Sequence, residues 1–255
     1  MEVERLQNRT HETKALTQLF RSHGRILVFT GAGISTESGL SDYRSKGGIW
    51  ERFQPVTIQE FLADEDKRKL YWVRKKELYG EMRDAKPNSG HLAIAKLAER
   101  GKVLGVITQN IDGLHHMAGN LPETILELHG TNRETICLDC GELCPWQEAY
   151  ERLQQGEETP LCLKCNGLLK PNTISFGQAL DPNVLNKAFE WAEECDLLIA
   201  CGSTLIVEPA ASIPRLAKER GARLVIVNLT ETPLDCFADL IIHAPIGETL
   251  SQSVG

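Results

Sequence analysis

Residues 108–116 read TQNIDGLHH and gather groups that exchange protons or hydrogen bonds: Gln109, Asn110, Asp112, His115 and His116. An apolar run, VLGVI, comes just before, so these side chains stand where a buried strand would end. A second apolar run, TILEL, ends at residue 128, and His129 and Gly130 follow it. An amide beside a carboxylate offers complementary donors and acceptors. An imidazole titrates near neutrality and suits general-base work. On its own, a histidine at a strand end is more often a satisfied structural group, so His129 needs the rest of the chain to give it a reaction.

A third apolar run, RILVFT, leads into GAGISTESGLSDYR at residues 31–44. Gly31 and Gly33 directly follow a strand, where glycine permits a tight turn and lets backbone approach a phosphate. A helix expected next would add unpaired N–H groups and a partial positive charge. Ser35 and Thr36 add hydroxyls. The match to the dinucleotide fingerprint G-x-G-x-x-G is partial. Thr36 stands where the third glycine belongs, and the next glycine is Gly39. No strand ending in an acidic residue follows about 20 residues later, as that fingerprint requires. A bare G-x-G is as often a structural turn, and the DYR that follows tips the balance. Asp42 and Arg44 flank an aromatic ring, a set that suits a ribose and a diphosphate beside a planar group.

Cys137-x-x-Cys140 and Cys162-x-x-Cys165 are two correctly spaced pairs, the pattern of a closed tetrahedral zinc site. Four protein thiolates leave no position for water or substrate, so one structural Zn2+ is expected. Cys144 lies nearby but breaks the symmetry of the pairs and is left out. Glu142, Glu148, Glu151, Glu157 and Glu158 make this region acidic, which argues against a nucleic-acid role for the ribbon. Cys195, Cys201 and Cys236 sit in or beside apolar runs and read as small core residues.

These groups need elements to hold them. The chain has 255 residues, 42% hydrophobic and 25% charged, enough for one large domain with a small insertion. Six apolar runs read as buried parallel strands: 25–30, 103–108, 124–128, 196–202, 223–228 and 239–243. Helical spacing separates most of them, at 91–100, 183–194 and 208–220. The alternation predicts an α/β fold, a Rossmann-like parallel sheet with helices on both faces. Ligands bind such sheets beyond the carboxyl ends of the strands. Segments 44–83 and 132–170 break the alternation. They are assigned to a small domain, a helical insertion plus the four-cysteine module, with 1–43, 84–131 and 171–255 forming the nucleotide-binding domain. A cleft between the two is expected.

The net charge of −7 argues against a broad nucleic-acid surface and suits a basic peptide. No apolar run approaches the ~20 residues that span a bilayer. The N-terminal stretch is charged, with helical spacing and no apolar signal core, so a cytoplasmic protein without a membrane partner is expected. A reducing cytosol keeps the eight cysteines out of disulfides.

GAGISTESGLSDYR, TQNIDGLH, ELHG, the paired cysteines, KPNTISFG (170–177), GSTLIVEPAA (202–211) and VNLTETPLD (227–235) occur in one order. With them the chain resembles the sirtuins, the Sir2 family of NAD-dependent protein deacylases, from about residue 14 to about 250. The resemblance implies a Rossmann-like domain with a smaller zinc-containing one. It also implies a reaction: the acyl-lysine oxygen attacks C1′ of the nicotinamide ribose and nicotinamide leaves. The alkylimidate is then resolved to free lysine and O-acyl-ADP-ribose.

The resemblance assigns roles residue by residue. His129 is the general base toward the ribose hydroxyls. Asn110 and Asp112, with Ile111 between them, line the nicotinamide pocket, and Gln109 holds the ribose. His115 is structural and His116 incidental. Gly31, Ala32, Gly33 and Ser35 approach the phosphates, with Asp42, Tyr43, Arg44 and Trp50 beside the ribose and diphosphate. Gly202, Ser203 and Thr204 offer further donors. Asn228 and Leu229 lie by the adenosine ribose, and Ile246 falls where the family contacts adenine, although alone it reads as core. The acyl-lysine peptide would add as a strand along Phe176–Gly177 and Leu205–Val207. A monomer is expected.

Ser41 stands where the family commonly has proline, and Tyr43 where it has Phe. Ser203-Thr204 inverts the usual Thr-Ser. Sirtuins that remove succinyl or malonyl groups carry Tyr-x-x-Arg in the helical insertion, and Tyr71 and Arg74 match it. At i and i+3 they share a helix face, where a guanidinium and a phenol can grip a carboxylate. Other branches share this pattern, and those desuccinylases prefer Ala at position 36, so deacetylation is the core expectation. Three rivals remain open: a mono-ADP-ribosyltransferase on the same scaffold, an NAD-dependent dehydrogenase and a non-enzymatic zinc-ribbon adaptor.

Overall fold

The computed structural model describes residues 2–44 and 47–255, with side chains from Thr10 onward. Six strands form one parallel sheet: β1 (Ile26–Thr30), β2 (Val103–Thr108), β3 (Ile125–Glu127), β7 (Leu197–Cys201), β8 (Arg223–Val227) and β9 (Leu240–Ile242). Its order is β3-β2-β1-β7-β8-β9. All six expected strands are present. Every residue of β1 and β7 is buried, as strands covered on both faces require.

Alternate side chains point to opposite faces. Ile26 and Val28 pack with Leu16, Ile94, Ile246 and Leu250 on one side. Leu27 and Phe29 pack with Ala188, Trp191, Ile213 and Ala217 on the other. The first layer comprises α1 (Glu2–Ser22), α5 (Ser89–Glu99) and α10 (Ile246–Val254). The second comprises α8 (Pro182–Glu194) and α9 (Ser212–Glu219). Strand order reverses between β1 and β7. That switch point opens the crevice in which such sheets hold ligands.

The expected helices at 91–100 and 183–194 are α5 and α8. Two expected helical segments differ in detail. The one expected after the glycine turn is present as a 3-10 helix, Ala32–Ser38. It has no side-chain cap and stops at Gly39, which is left-handed, so it never builds an α-helical turn ladder. The helix assigned to 208–220 begins only at Ser212, because residues 208–211 form a turn.

Between β3 and α8 lies a second, antiparallel sheet, order β5-β4-β6, from β4 (Gly130–Cys137), β5 (Leu143–Pro145) and β6 (Leu169–Thr173). It reaches slightly beyond the 132–170 segment at both ends. Helix α7 (Trp146–Gln154) covers it. The 44–83 segment forms α2 (Ile49–Arg52), α3 (Ile58–Ala63) and α4 (Glu65–Arg83). Asp64 caps α4 by accepting from Asp66 and Lys67 N–H. Phe61, Tyr71 and Trp72 from this insertion share one core with Cys137, Trp146, Cys162 and Leu169. A short α6 (Leu114–Met117) follows β2.

Candidate functional site

His129 sits in the two-residue turn that carries the chain from β3 in the large sheet to β4 in the small one. Leu128 N–H donates to Thr108 O, and His129 O accepts from Ile174 N–H at 2.8 Å, so the turn is held from both sheets. Gly130 is left-handed, φ 73°, and a Cβ there would lie 2.2 Å from Asn172 O. The imidazole Nδ1 is 2.9 Å from the Gln109 carbonyl. A carbonyl only accepts, so Nδ1 carries the proton and Nε2 keeps a free lone pair. Burial lowers the pKa of His129. The Gln109 carbonyl opposes that shift and the Arg44 charge adds to it. The ring is therefore a neutral base at neutral pH.

Three predicted residues form one hydrogen-bonded chain. Asn110 Nδ2 donates to Gly31 O and to Ser35 Oγ, each at 3.1 Å. Ser35 Oγ donates to Asp112 Oδ2 at 2.7 Å. Asp112 Oδ1 accepts from Leu114 N–H at 2.9 Å. Burial raises the Asp112 pKa, bonds from Leu114 and Ser35 oppose it, and the Glu127 charge adds to it. Ile111 is buried, and its carbonyl accepts from Asn132 N–H.

Sequence reasoning missed Thr30 and Thr108, the buried polar residues that end β1 and β2. Thr30 Oγ1 donates to Thr108 Oγ1 at 2.8 Å, and Thr108 Oγ1 accepts from Asn110 N–H at 3.0 Å. His115 Nε2 lies 2.9 Å from Thr30 Oγ1, and its ring packs edge-on against His91 at 4.9 Å. A polar residue closing an apolar run was the available signal. His115 is part of this support, and burial drives its pKa well below the usual histidine range. His116 points elsewhere, to Glu127 and Arg133.

The glycines following β1 face the loop following β7. Gly31 N–H donates to Cys201 O and Gly33 N–H to Gly202 O. A Cβ on Gly31 would lie 2.7 Å from Gly202 O, and one on Gly33 would lie 2.7 Å from Gly202 Cα. Contact between two loops thus requires these glycines even before any phosphate is considered. Ser203 Oγ accepts from Gln109 Nε2 at 2.8 Å, joining the β7 loop to the β2 loop. Ala32 and Thr204 are half-buried beside them. Asn228, at the end of β8, is buried with Nδ2 donating to Thr230 O, and Leu229 is exposed. Ile246 is 3% exposed and its side chain belongs to the core.

Tyr43 lies 5.9 Å from Trp50, and Trp50 lies 5.6 Å from Phe176, centroid to centroid. The Arg44 guanidinium stacks 4.0 Å from the Trp50 ring. Asp42 Oδ1 accepts from Arg44 N–H, which fixes this turn. Burial, then the charges of Asp112 and Tyr71, push the Tyr43 phenol up to about 12, so it stays protonated. Phe176 is half exposed. The carbonyls of Phe176 and Gly177 already accept from Ile58 N–H and Gln59 Nε2. Strand addition at this edge would therefore use N–H groups more than carbonyls. Val207 is half-buried, and its carbonyl accepts from Ala211 N–H.

Tyr71 and Arg74 are not brought to one point. Tyr71 is buried against Phe61 and Trp72. Arg74 donates to the Gln54 carbonyl and lies over Phe53. A shared helix face does not suffice, because the long Arg74 side chain finds its partners on the 53–54 segment.

The four cysteine sulfurs of the small sheet lie within 4.8 Å of one another. Cys137 and Cys165 Sγ are 3.5 Å apart, and Cys140 and Cys162 Sγ are 3.8 Å apart. Thiolates about 2.3 Å from a tetrahedral zinc lie about 3.8 Å from each other, so the set fits Zn2+. Gly167 N–H donates to Cys165 Sγ, and Asp139 braces the second knuckle through Leu168 N–H. Cys144 lies outside the cluster.

A doubly covered parallel sheet, a four-cysteine ribbon module and a histidine at their junction define a zinc-bearing α/β protein built to bind a nucleotide at its switch point. The Sir2 family signature matches residues 31–209, and the chain belongs to that family. It is 44% identical over 243 residues to an NAD-dependent protein deacetylase of Thermodesulfovibrio yellowstonii, covering 95% of this chain and 94% of that one. A solved Sir2 structure with a p53 peptide and NAD+ superposes with TM-score 0.82 at 35% identity, covering 93% and 95% of the two chains. Another, bound to a propionylated peptide, gives 0.83 at 35% identity, covering 94% and 95%.

Proposed function

We propose that the chain is an NAD-dependent protein-lysine deacylase, yielding deacylated lysine, nicotinamide and O-acyl-ADP-ribose. The observation that carries this reading is His129, its Nδ1 tied to the Gln109 carbonyl and its Nε2 lone pair free, beside the Asn110–Ser35–Asp112 chain. NAD, when bound, supplies the ribose carbon that accepts the acyl oxygen. The chain's own residues do the rest. Gly31 to Ser35 and Gly202 to Thr204 bind the diphosphate at the switch point, and Asn228, Leu229 and Ile246 take the adenosine end. Asn110 and Asp112 orient the carboxamide. Tyr43, Trp50 and Phe176 exclude water. His129 Nε2 accepts the proton of a ribose hydroxyl. The acyl-lysine segment enters between Phe176–Gly177 and Val207.

The division into 1–43, 84–131 and 171–255 against 44–83 and 132–170 belongs to this reading. It is supported by the separate core that the small sheet shares with α3 and α4. A cytoplasmic compartment, where the four zinc thiolates stay reduced, belongs to the same reading. Among the described residues no helix is long and apolar enough to cross a membrane. The net charge of −7 supports a peptide rather than a nucleic-acid partner, and a monomer is the working state.

The test is mass spectrometry of an acetyl-lysine peptide incubated with NAD. Wild type should release acetyl to ADP-ribose together with nicotinamide. His129→Ala should lose at least about 100-fold in rate, the usual worth of a general base, with an unchanged circular dichroism spectrum. A peptide that gains ADP-ribose instead of losing acetyl, or a His129→Ala protein of wild-type rate, overturns the reading.

A further inference from the structure

Helix α10 begins without a cap of its own. Pro245 stands at its cap position, and no side-chain cap bond is made there. The first N–H groups of a helix need acceptors from elsewhere. One comes from 210 residues away, where Glu37 Oε1 accepts from Gly247 N–H at 2.8 Å. Glu37 lies in the last turn of the 3-10 helix Ala32–Ser38, the segment that follows the β1 glycine turn. A carboxylate in a loop that approaches a diphosphate is repelled by that ligand, so its place there needs a compensating use. Negative charge at a helix N-terminus is favourable, and this carboxylate also satisfies a donor that would otherwise be orphaned.

Three elements converge at this point. A Cβ on Gly247 would lie 2.4 Å from Glu37 Oε2 and 2.3 Å from Ser89 Oγ, at the start of α5. Only glycine lets the carboxylate come this close to the helix backbone. A Cβ on Gly90 would lie 3.5 Å from Gly247 Cα, so α5 and α10 meet here as well. Asn88 caps α5 by accepting from Gly90 N–H, and its Nδ2 donates to Ile34 O at 2.7 Å and Ser38 Oγ at 3.0 Å. The 3-10 helix is thus tied to the starts of two helices, to α5 through Asn88 and to α10 through Glu37. At its other end Asn110 holds Gly31 O and Ser35 Oγ.

We propose that Glu37 is a positioning residue for the cofactor, clamping the diphosphate loop to the N-terminus of α10 and so setting the span between the diphosphate and the adenine of NAD. Ile246, where adenine is expected, is the first residue of α10 and adjoins the clamped Gly247. Glu37 acts through backbone and does not touch the ligand. Without the clamp, binding must also order the loop against the helix, which weakens the hold on the ADP-ribose half of the cofactor. The nicotinamide half, assigned to Asn110 and Asp112, keeps its contacts. This inference rests on the NAD site of the deacylase reading above.

The experiment measures ADP-ribose binding by titration calorimetry, beside steady-state deacylation of an acetyl-lysine peptide. Glu37→Ala should weaken ADP-ribose binding and raise KM for NAD roughly fivefold to thirtyfold, the worth of a lost helix cap. Its kcat at saturating NAD and its inhibition by nicotinamide should change less than about twofold, as loss of binding alone requires. Glu37→Gln keeps an oxygen acceptor and should stay within about threefold of wild type in both binding and KM. Arg100→Gln is the structural control. It removes the bonds from Arg100 to Val254 O and Gly255 O at the far end of α10, and should lower the melting temperature without weakening ADP-ribose binding. The clamp is overturned by a Glu37→Ala protein that binds ADP-ribose within about twofold of wild type, by Glu37→Gln as weak as Glu37→Ala, or by equal weakening in Arg100→Gln. A wild type that binds ADP-ribose but removes no acetyl group overturns the deacylase reading alone, and the binding data still decide the clamp. One that binds no ADP-ribose overturns both.

Discussion

At the scale of single residues, the chemistry depends on one proton held in place. His129 donates from Nδ1 to a backbone carbonyl, which fixes the tautomer without adding a charge. A carboxylate partner would have raised the ring's pKa. Burial and Arg44 instead lower it from the usual value of 6.5. The sign follows directly. The protonated ring cannot accept a ribose proton, so activity is lost as pH falls through the site pKa. Because that pKa lies below 6.5, kcat/KM should stay flat through neutrality and fall to half below about pH 6.5. Arg44→Gln removes a lowering charge and should move the midpoint upward. A pH profile of the wild type with its acid limb centred above pH 7 would rule this assignment out. Burial raises the Asp112 pKa, so protonation of this carboxylate, which accepts from Ser35 and Leu114, removes activity on the same acid side.

At the scale of elements, two loops from opposite sides of the switch point meet backbone to backbone. Gly202 is left-handed at φ 63°, and a Cβ there would lie 2.4 Å from Ile34 N and 2.6 Å from Gly33 C. Gly202→Ala should therefore cost about 2–5 kcal/mol, strain of the αL backbone plus overlap, and raise KM for NAD by moving the β1 loop. Gly39 is the comparison. It is also left-handed, at φ 84°, but a Cβ there meets nothing within 4 Å. Gly39→Ala should cost only ~1–2 kcal/mol and leave KM for NAD unchanged. Urea unfolding with steady-state kinetics separates the two, and equal effects would refute the packing argument. The sequence made this junction partly legible. Apolar runs located all six strands, because strands buried on both faces must be continuously apolar. The same reasoning placed Gly31, Gln109, His129, Ser203 and Asn228 at strand ends. It could not supply the contact between the β1 and β7 loops, which joins residues far apart in the chain. It also missed β4, β5 and β6. Thiolates and a metal hold that sheet, so its strands need no apolar alternation, as GTNRETIC illustrates. That Lys75 lies near the Tyr71 ring while Arg74 lies over Phe53 was equally hidden, since spacing fixes a helix face but not where a long side chain ends.

At the scale of the whole molecule, the zinc module and the nucleotide sheet are coupled through one turn. Strand β4 starts at Gly130, one residue after His129, and ends at Cys137, a zinc ligand. Cys137 and Cys162 also belong to the apolar core that holds Tyr71, Trp72 and Trp146. A zinc whose four ligands are all protein thiolates has no chemical part in the reaction. Its loss should nevertheless reach the site, because the small core relies on those two cysteines and β4 positions the histidine turn. Stripping the metal with a strong chelator should release one zinc per chain, measured by elemental mass spectrometry. It should lower stability by several kcal/mol, within the ~10 kcal/mol that small zinc modules draw from their metal. Trp146 is stacked 5.2 Å from Trp72, so its fluorescence should report the loosening. Deacylation should fall in parallel with that fluorescence change and recover when Zn2+ is returned. A fully stripped protein that keeps its melting temperature and its activity would show that the two sheets are mechanically independent, and that β4 does not tie His129 to the cysteine cluster.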